Sequence, residues 1–134
     1  MKKWIRWTAI LLLGTVLTGC SFVSREEERT PVDYTVAAQE EIPEELMTMI
    51  ENQKEQPFQM QYGDQTYLYL TVGYGKQDAG GYSIQVEEVS ESEQEIHVTT
   101  KLVGPETTEK ISEGATYPYI VLKIEFRDKI VMFH

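Results

Sequence analysis

Apolar residues follow three different rhythms along this chain. The first is an unbroken run: Trp7 to Ser24 holds no charged residue and centres on Ile10-Leu11-Leu12-Leu13, just after the positive charges of Lys2, Lys3 and Arg6. A positive start followed by a short apolar stretch is the layout of an export signal. From Ser21 to Glu41 the apolar periodicity disappears, and the segment carries Arg25-Glu26-Glu27-Glu28-Arg29 and one proline. It reads as a flexible tether with a reach of roughly 25 Å. Within it, Asp33 to Ala37 is the one stretch with the composition of a short edge strand.

The second rhythm is helical. Pro43-Glu44-Glu45-Leu46-Met47-Thr48-Met49-Ile50-Glu51-Asn52-Gln53-Lys54 predicts about three turns. Proline suits the first position, Glu44 and Glu45 oppose the positive end of the helix dipole, Lys54 sits near the negative end, and Pro57 prevents continuation. Leu46, Met49 and Ile50 make a narrow apolar stripe fit to pack on a sheet, with Met47 beside it as core filler.

From Phe58 onward the period changes to two. Gln59 to Tyr62 predicts a short strand, Gly63-Asp64 a tight turn, and Thr66 to Tyr74 a second strand in which Leu68, Leu70 and Val72 alternate with Tyr67, Tyr69 and Thr71. Large side chains on both faces mark that strand as central, covered on both sides. Tyr82-Ser83-Ile84-Gln85-Val86 alternates cleanly, then the apolar phase slips by one before Val89, which predicts a bulge near Glu87-Glu88. Ile96, Val98, Thr100 and Leu102 share the apolar face of the next strand, opposite His97, Thr99 and Lys101. Tyr119 to Phe126 points Ile120, Leu122, Ile124 and Phe126 inward, and Ile130 to Phe133 closes the series. One helix and about six strands joined by short turns give a mainly antiparallel β (α+β) fold, a small sheet or sandwich domain with one N-terminal helix.

The end of the first rhythm changes the picture of location. Leu17-Thr18-Gly19-Cys20 resembles the bacterial lipobox, in which small residues before a cysteine permit cleavage there. Residues 1–19 are then a signal peptide, 20–42 a lipidated tether and 43–134 one domain. Acyl chains such as palmitate on Cys20 anchor the chain to the extracytoplasmic face of a membrane, two chains being enough where one is marginal. Cys20 is the only cysteine. No disulfide is possible, and the domain is stabilised by its core alone.

Removing the signal leaves 9 of the 12 basic residues against 22 acidic ones, a mature net charge of −13. Such a surface repels nucleic acid and anionic headgroups. Nucleic-acid binding is excluded as a function class, and membrane attachment falls to the lipid.

The order of features then resembles a known family. The helix, the strand Tyr67 to Tyr74, the loop Gly75-Lys76-Gln77-Asp78-Ala79-Gly80-Gly81-Tyr82-Ser83-Ile84, the charged Val86-Glu87-Glu88-Val89 and the closing Thr116-Tyr117-Pro118-Tyr119 are similar to the C-terminal domain of the PrcB family. Its members are lipoproteins or secreted proteins named from a subunit of a surface protease complex. The loop departs from the family's usual Lys-Pro-Thr-Gly-Gly-Tyr, lacking the proline and threonine and running one residue longer. The resemblance implies a non-enzymatic accessory protein whose partner is a secreted protease or another exported protein.

Candidate chemistry is sparse. Gly80-Gly81 before a strand permits positive φ and close backbone approach, so the pair makes either a tight connection or a partner-binding loop with Tyr82 at its base. Tyr117-Pro118-Tyr119 starts a strand with an imino acid and flanks it with rings suited to an adhesive patch. His97 and His134 have no cysteine, histidine or paired carboxylate beside them at ligand spacing, so no catalytic residue, metal site or cofactor is expected. Glu87, Glu88, Glu91, Glu93 and Glu95 read as a solvated acidic hairpin without a calcium-loop pattern. An alternative is a small-ligand or cell-wall-binding module using Tyr67, Tyr69 and Tyr74.

Overall fold

A computed structural model describes residues 28–106 and 113–134. Cys20, the expected signal sequence and the first part of the expected tether lie outside the described residues. In chain order the elements are β1 (Thr30–Pro31), β2 (Thr35–Val36), α1 (Glu44–Gln53), β3 (Pro57–Gly63), β4 (Tyr67–Tyr74), β5 (Gln77–Ala79), β6 (Ser83–Glu91), β7 (Glu95–Val103), β8 (Glu113–Thr116), β9 (Tyr119–Glu125) and β10 (Ile130–Phe133). They form two four-stranded sheets, ordered β1-β6-β7-β10 and β2-β9-β4-β3, and a two-stranded ribbon of β5 with β8.

The double-sided alternation of β4 sets the layering. Leu68 and Leu70, with Leu122 and Ile124 of β9, face Val89, Ile96 and Val98 of the other sheet, and Val131 and Phe133 of β10 pack onto this cluster. The opposite face presents Tyr67, Tyr69 and, from β9, Val121 to Leu46 and Ile50 of α1. The result is sheet on sheet with the helix capping the second sheet, a mainly antiparallel β fold as the alternation predicts. Leu46 and Ile50 are fully buried. Truncating either to alanine costs roughly 2–5 kcal/mol.

Helix α1 begins one residue later than expected: Pro43 is its cap, and its carbonyl accepts the Met47 N–H at 2.9 Å. Proline's fixed φ and missing N–H suit the cap as well as the first turn. The bulge falls where the phase slip placed it, with the β6–β7 register shifting between Val86 and Glu88.

Four features differ from the sequence reading. The stretch read as a tether is not unstructured throughout: Thr35–Val36 pairs with Leu122 and Lys123 as the short edge strand that Asp33 to Ala37 offered, Thr30–Pro31 pairs unexpectedly with Ser90 and Glu91, and Val32, Ala37 and Ile42 are buried. The fold therefore starts before residue 43. There are ten strands rather than about six among the described residues, because β1, β2, β5 and β8 are too short to display a period. Phe126 is 44% exposed instead of inward, its ring lying against Gly63 just past the end of β9. Finally, β10 runs parallel to β7, placing Met132 beside His97.

Candidate binding end of the sandwich

The two motifs that carry the family resemblance meet at one end of the sandwich, and the β5–β8 ribbon joins them. Gln77 pairs with Thr116 and Ala79 with Glu113, and the Thr116 hydroxyl donates to the Ala79 carbonyl at 2.8 Å. The three residues that depart from the family loop, Gln77-Asp78-Ala79, are the ones that form β5.

Each predicted residue has a distinct place there. Gly80 is buried, and Gly81 has φ +91 with Pro105 3.0 Å from where a Cβ would stand. A side chain at Gly81 is strained in both conformation and space. The Tyr82 ring lies over Gly104 and is half-buried. Glycine 81 and Tyr82 thus clasp the turn that leaves β7. Pro118 lacks a donor but accepts the Tyr74 N–H at 3.0 Å, so the imino acid costs the sheet nothing. Tyr119 packs against the α1 cluster, its hydroxyl 3.9 Å from the Met47 sulfur. Tyr117 remains half-exposed, with the Lys54 ammonium 5.1 Å from its ring centre. Lys54 is held above the usual lysine range, first by its hydrogen bond from Nζ to Glu51 and then by that carboxylate's charge. Gly81, Tyr82 and Tyr117 reach the surface, whereas Gly80 and Tyr119 mainly support them.

The same end holds a cleft of about 630 Å³ between the sheets, lined by residues 57–59 of β3, residues 72–74 of β4, Thr100 of β7 and His134. Tyr74 and Thr100 bridge the sheets through their hydroxyls at 2.6 Å. Phe58 covers Gly73 so closely that a Cβ there would stand 2.1 Å from the ring. The tyrosine stripe of the alternative reading is not an open face. Tyr69 is buried beneath α1, Tyr67 lies under the Lys123 ammonium at 4.1 Å, and Tyr62 donates to Glu45 of the helix.

Two clusters were missed. His97 is only 5% exposed; its Nε2 lies 3.1 Å from Glu95 and its Nδ1 3.0 Å from His134 Nε2. A period-two pattern assigned His97 to the polar face correctly, but nothing in it announces that β10 returns alongside. The acidic hairpin is also less solvated than expected. Arg29 reaches Glu88 at 3.3 Å, and Arg127 and Lys129 converge on Glu91 at 2.9 and 3.0 Å. Hydrogen bonding from Ser90, then from Arg29, holds Glu88 below the usual carboxylate range despite partial burial. For Glu91 burial pushes upward, and the Lys129 and Arg127 hydrogen bonds with their charges outweigh it. Among the described residues no three His, Cys, Asp or Glu side chains stand where they would hold a metal ion.

Comparison with curated proteins finds no significant match, and comparison with solved structures finds none. Residues 68–125 match the family model described as PrcB C-terminal. The matched segment runs from the second residue of β4 to the last of β9, and so includes the ribbon, both motifs and the core of both sheets. The stretch from Leu68 to Glu125 is a PrcB C-terminal-like domain.

Proposed function

We propose that this protein is a lipid-anchored, extracytoplasmic accessory protein that binds or stabilises an exported partner such as a secreted protease through a non-catalytic β domain. The family match carries the reading, since it covers both motifs that the fold brings together at one end of the sandwich. The lipobox at Cys20 supports the location. The half-exposed Tyr82 and Tyr117 beside the constrained Gly81 support a contact surface, because tyrosine offers large area at low entropic cost. The two rings stand just past the ends of the β5–β8 ribbon, beside Gly81 and Pro118, whose restricted backbone limits the ordering cost of association.

Co-purification from detergent-solubilised membranes tests the reading. The intact chain brings down an exported protein, and Tyr82→Ala with Tyr117→Ala weakens the capture. Recovery of no exported protein under crosslinking defeats it.

A further inference from the structure

Strand β3 is the last strand of the second sheet, and among the described residues no strand lies on its outer side. The described chain enters the fold through β1 and β2, and β2 is the opposite edge of this sheet. The other outer strands, β1, β2 and β10, are two to four residues long, whereas β3 runs for seven. Edge strands are ordinarily kept from further pairing by a charge, a bulge or a proline. From Pro57 to Gly63 no residue is charged, the register with β4 runs without a shift, and the proline stands only at the first position. The ladder shows which backbone groups are free. The Asp64 N–H donates to the Tyr67 carbonyl at 3.0 Å, so by alternation Tyr62, Met60 and Phe58 turn their groups toward β4. Gly63, Gln61, Gln59 and Pro57 turn theirs outward, and all four are exposed.

We propose that β3 pairs antiparallel with β3 of a second copy of this chain, about a two-fold axis at Met60, so that two sheets join into one. The sequence identifies the occupant. Phe58-Gln59-Met60-Gln61-Tyr62 has the same order of chemistries in both directions, aromatic, amide, thioether, amide and aromatic. A two-fold contact requires such self-complementarity, and a foreign strand does not. With the axis at Met60 the whole strand overlaps its copy, and every pair that must exchange hydrogen bonds consists of outward-facing residues. Gln59 meets Gln61 of the second copy, their backbones exchange N–H···O bonds, and their side-chain amides each donate and accept. Pro57, which has no N–H, meets Gly63 and accepts from it. Between these, Phe58 meets Tyr62 as an aromatic cross-strand pair and the two Met60 side chains adjoin on the axis. The same register sets Glu55 against Gln65 and Asp64 against Gln56, so no two carboxylates are opposed. In a chain with 22 acidic residues against 12 basic ones, β3 is a stretch where copies approach without facing like charges. The surface lies apart from Tyr82 and Tyr117 and goes beyond the partner-binding reading without resting on it.

Paired charge variants of the full chain in detergent test the proposal. Gln59→Lys with Gln61→Lys opposes like charges across the axis, as does Gln59→Glu with Gln61→Glu, and both positions are exposed. Sedimentation in density-matched detergent shows a dimer for the parent chain and a dissociation constant raised about tenfold or more in each variant alone. Mixing the two variants restores pairing, because unlike charges then meet. Met60→Cys reads the register: mild oxidation joins two chains there, whereas Val36→Cys, exposed on the opposite edge, stays unjoined, with the unsubstituted chain controlling for Cys20. A parent chain that is monomeric at every concentration tested overturns the proposal. A mixture no better paired than its components overturns it too, and so does oxidation at Val36→Cys as fast as at Met60→Cys.

Discussion

His97 Nδ1 stands 3.0 Å from His134 Nε2 with the two ring planes 12° apart. In the neutral pair, Glu95 accepts the His97 Nε2–H, which leaves Nδ1 to accept from His134. The relationship fastens the end of β10, which runs parallel to β7, to the middle of that strand. His134→Ala therefore costs about 1 kcal/mol, the net worth of one such bond. His97→Ala costs roughly 2–3 kcal/mol, because it also leaves a gap in a buried position. Urea unfolding of both single variants and the double variant checks this, and the double variant loses less than the sum of the two.

Gly73 is reserved for the Phe58 ring. The 2.1 Å approach means that Gly73→Ala destabilises by about 3 kcal/mol or more, as an overpacked core does. Phe58→Leu in the same chain recovers part of the loss. Thermal unfolding of the pair checks the direction, and a Gly73→Ala protein as stable as the parent contradicts the packing described.

Thr71 is fully buried, and its hydroxyl has no hydrogen-bond partner among the described residues. Thr71→Val keeps the shape and removes an unsatisfied group. Stability rises by roughly 1–2 kcal/mol, read as a higher Tm in calorimetry.

Acid weakens the fold through Glu88 and Glu91. Both carboxyls lie below the ordinary value of 4.5 in the folded chain. The unfolded state then binds more protons than the folded one between those values, so the stabilisation is complete above that ordinary value and is lost as pH falls through the lowered one. Unfolding free energies measured from pH 7 down to about pH 3.5 decline, and Glu91→Gln flattens part of the decline while costing roughly 0.5–1 kcal/mol at neutral pH.

Much of this was legible in the chain because burial writes a period. The helix, the double-faced β4 and the bulge at Glu87 each left a phase or spacing that only one element satisfies. Two-residue strands leave no period: composition marked Asp33 to Ala37 as a short edge strand, where Thr35–Val36 forms, but nothing marked Thr30–Pro31. The meeting of His97 with His134 depended on a parallel return over 37 residues, which local patterning does not encode. The motifs were visible as residues, but the division of labour within Tyr117-Pro118-Tyr119, with one ring outside and one beneath the helix, needed the ribbon and α1 in place.

The central claim is that this end of the sandwich holds an exported partner at the membrane. Quantitative crosslinking and co-purification of the intact chain from membranes, alongside the Tyr82→Ala, Tyr117→Ala variant and Cys20→Ala, tests it most directly. The account predicts that the intact chain captures an exported protein, that the tyrosine variant stays in the membrane but captures at least about tenfold less, and that Cys20→Ala leaves the membrane fraction with its fold intact. Equal capture by the intact chain and the tyrosine variant contradicts it.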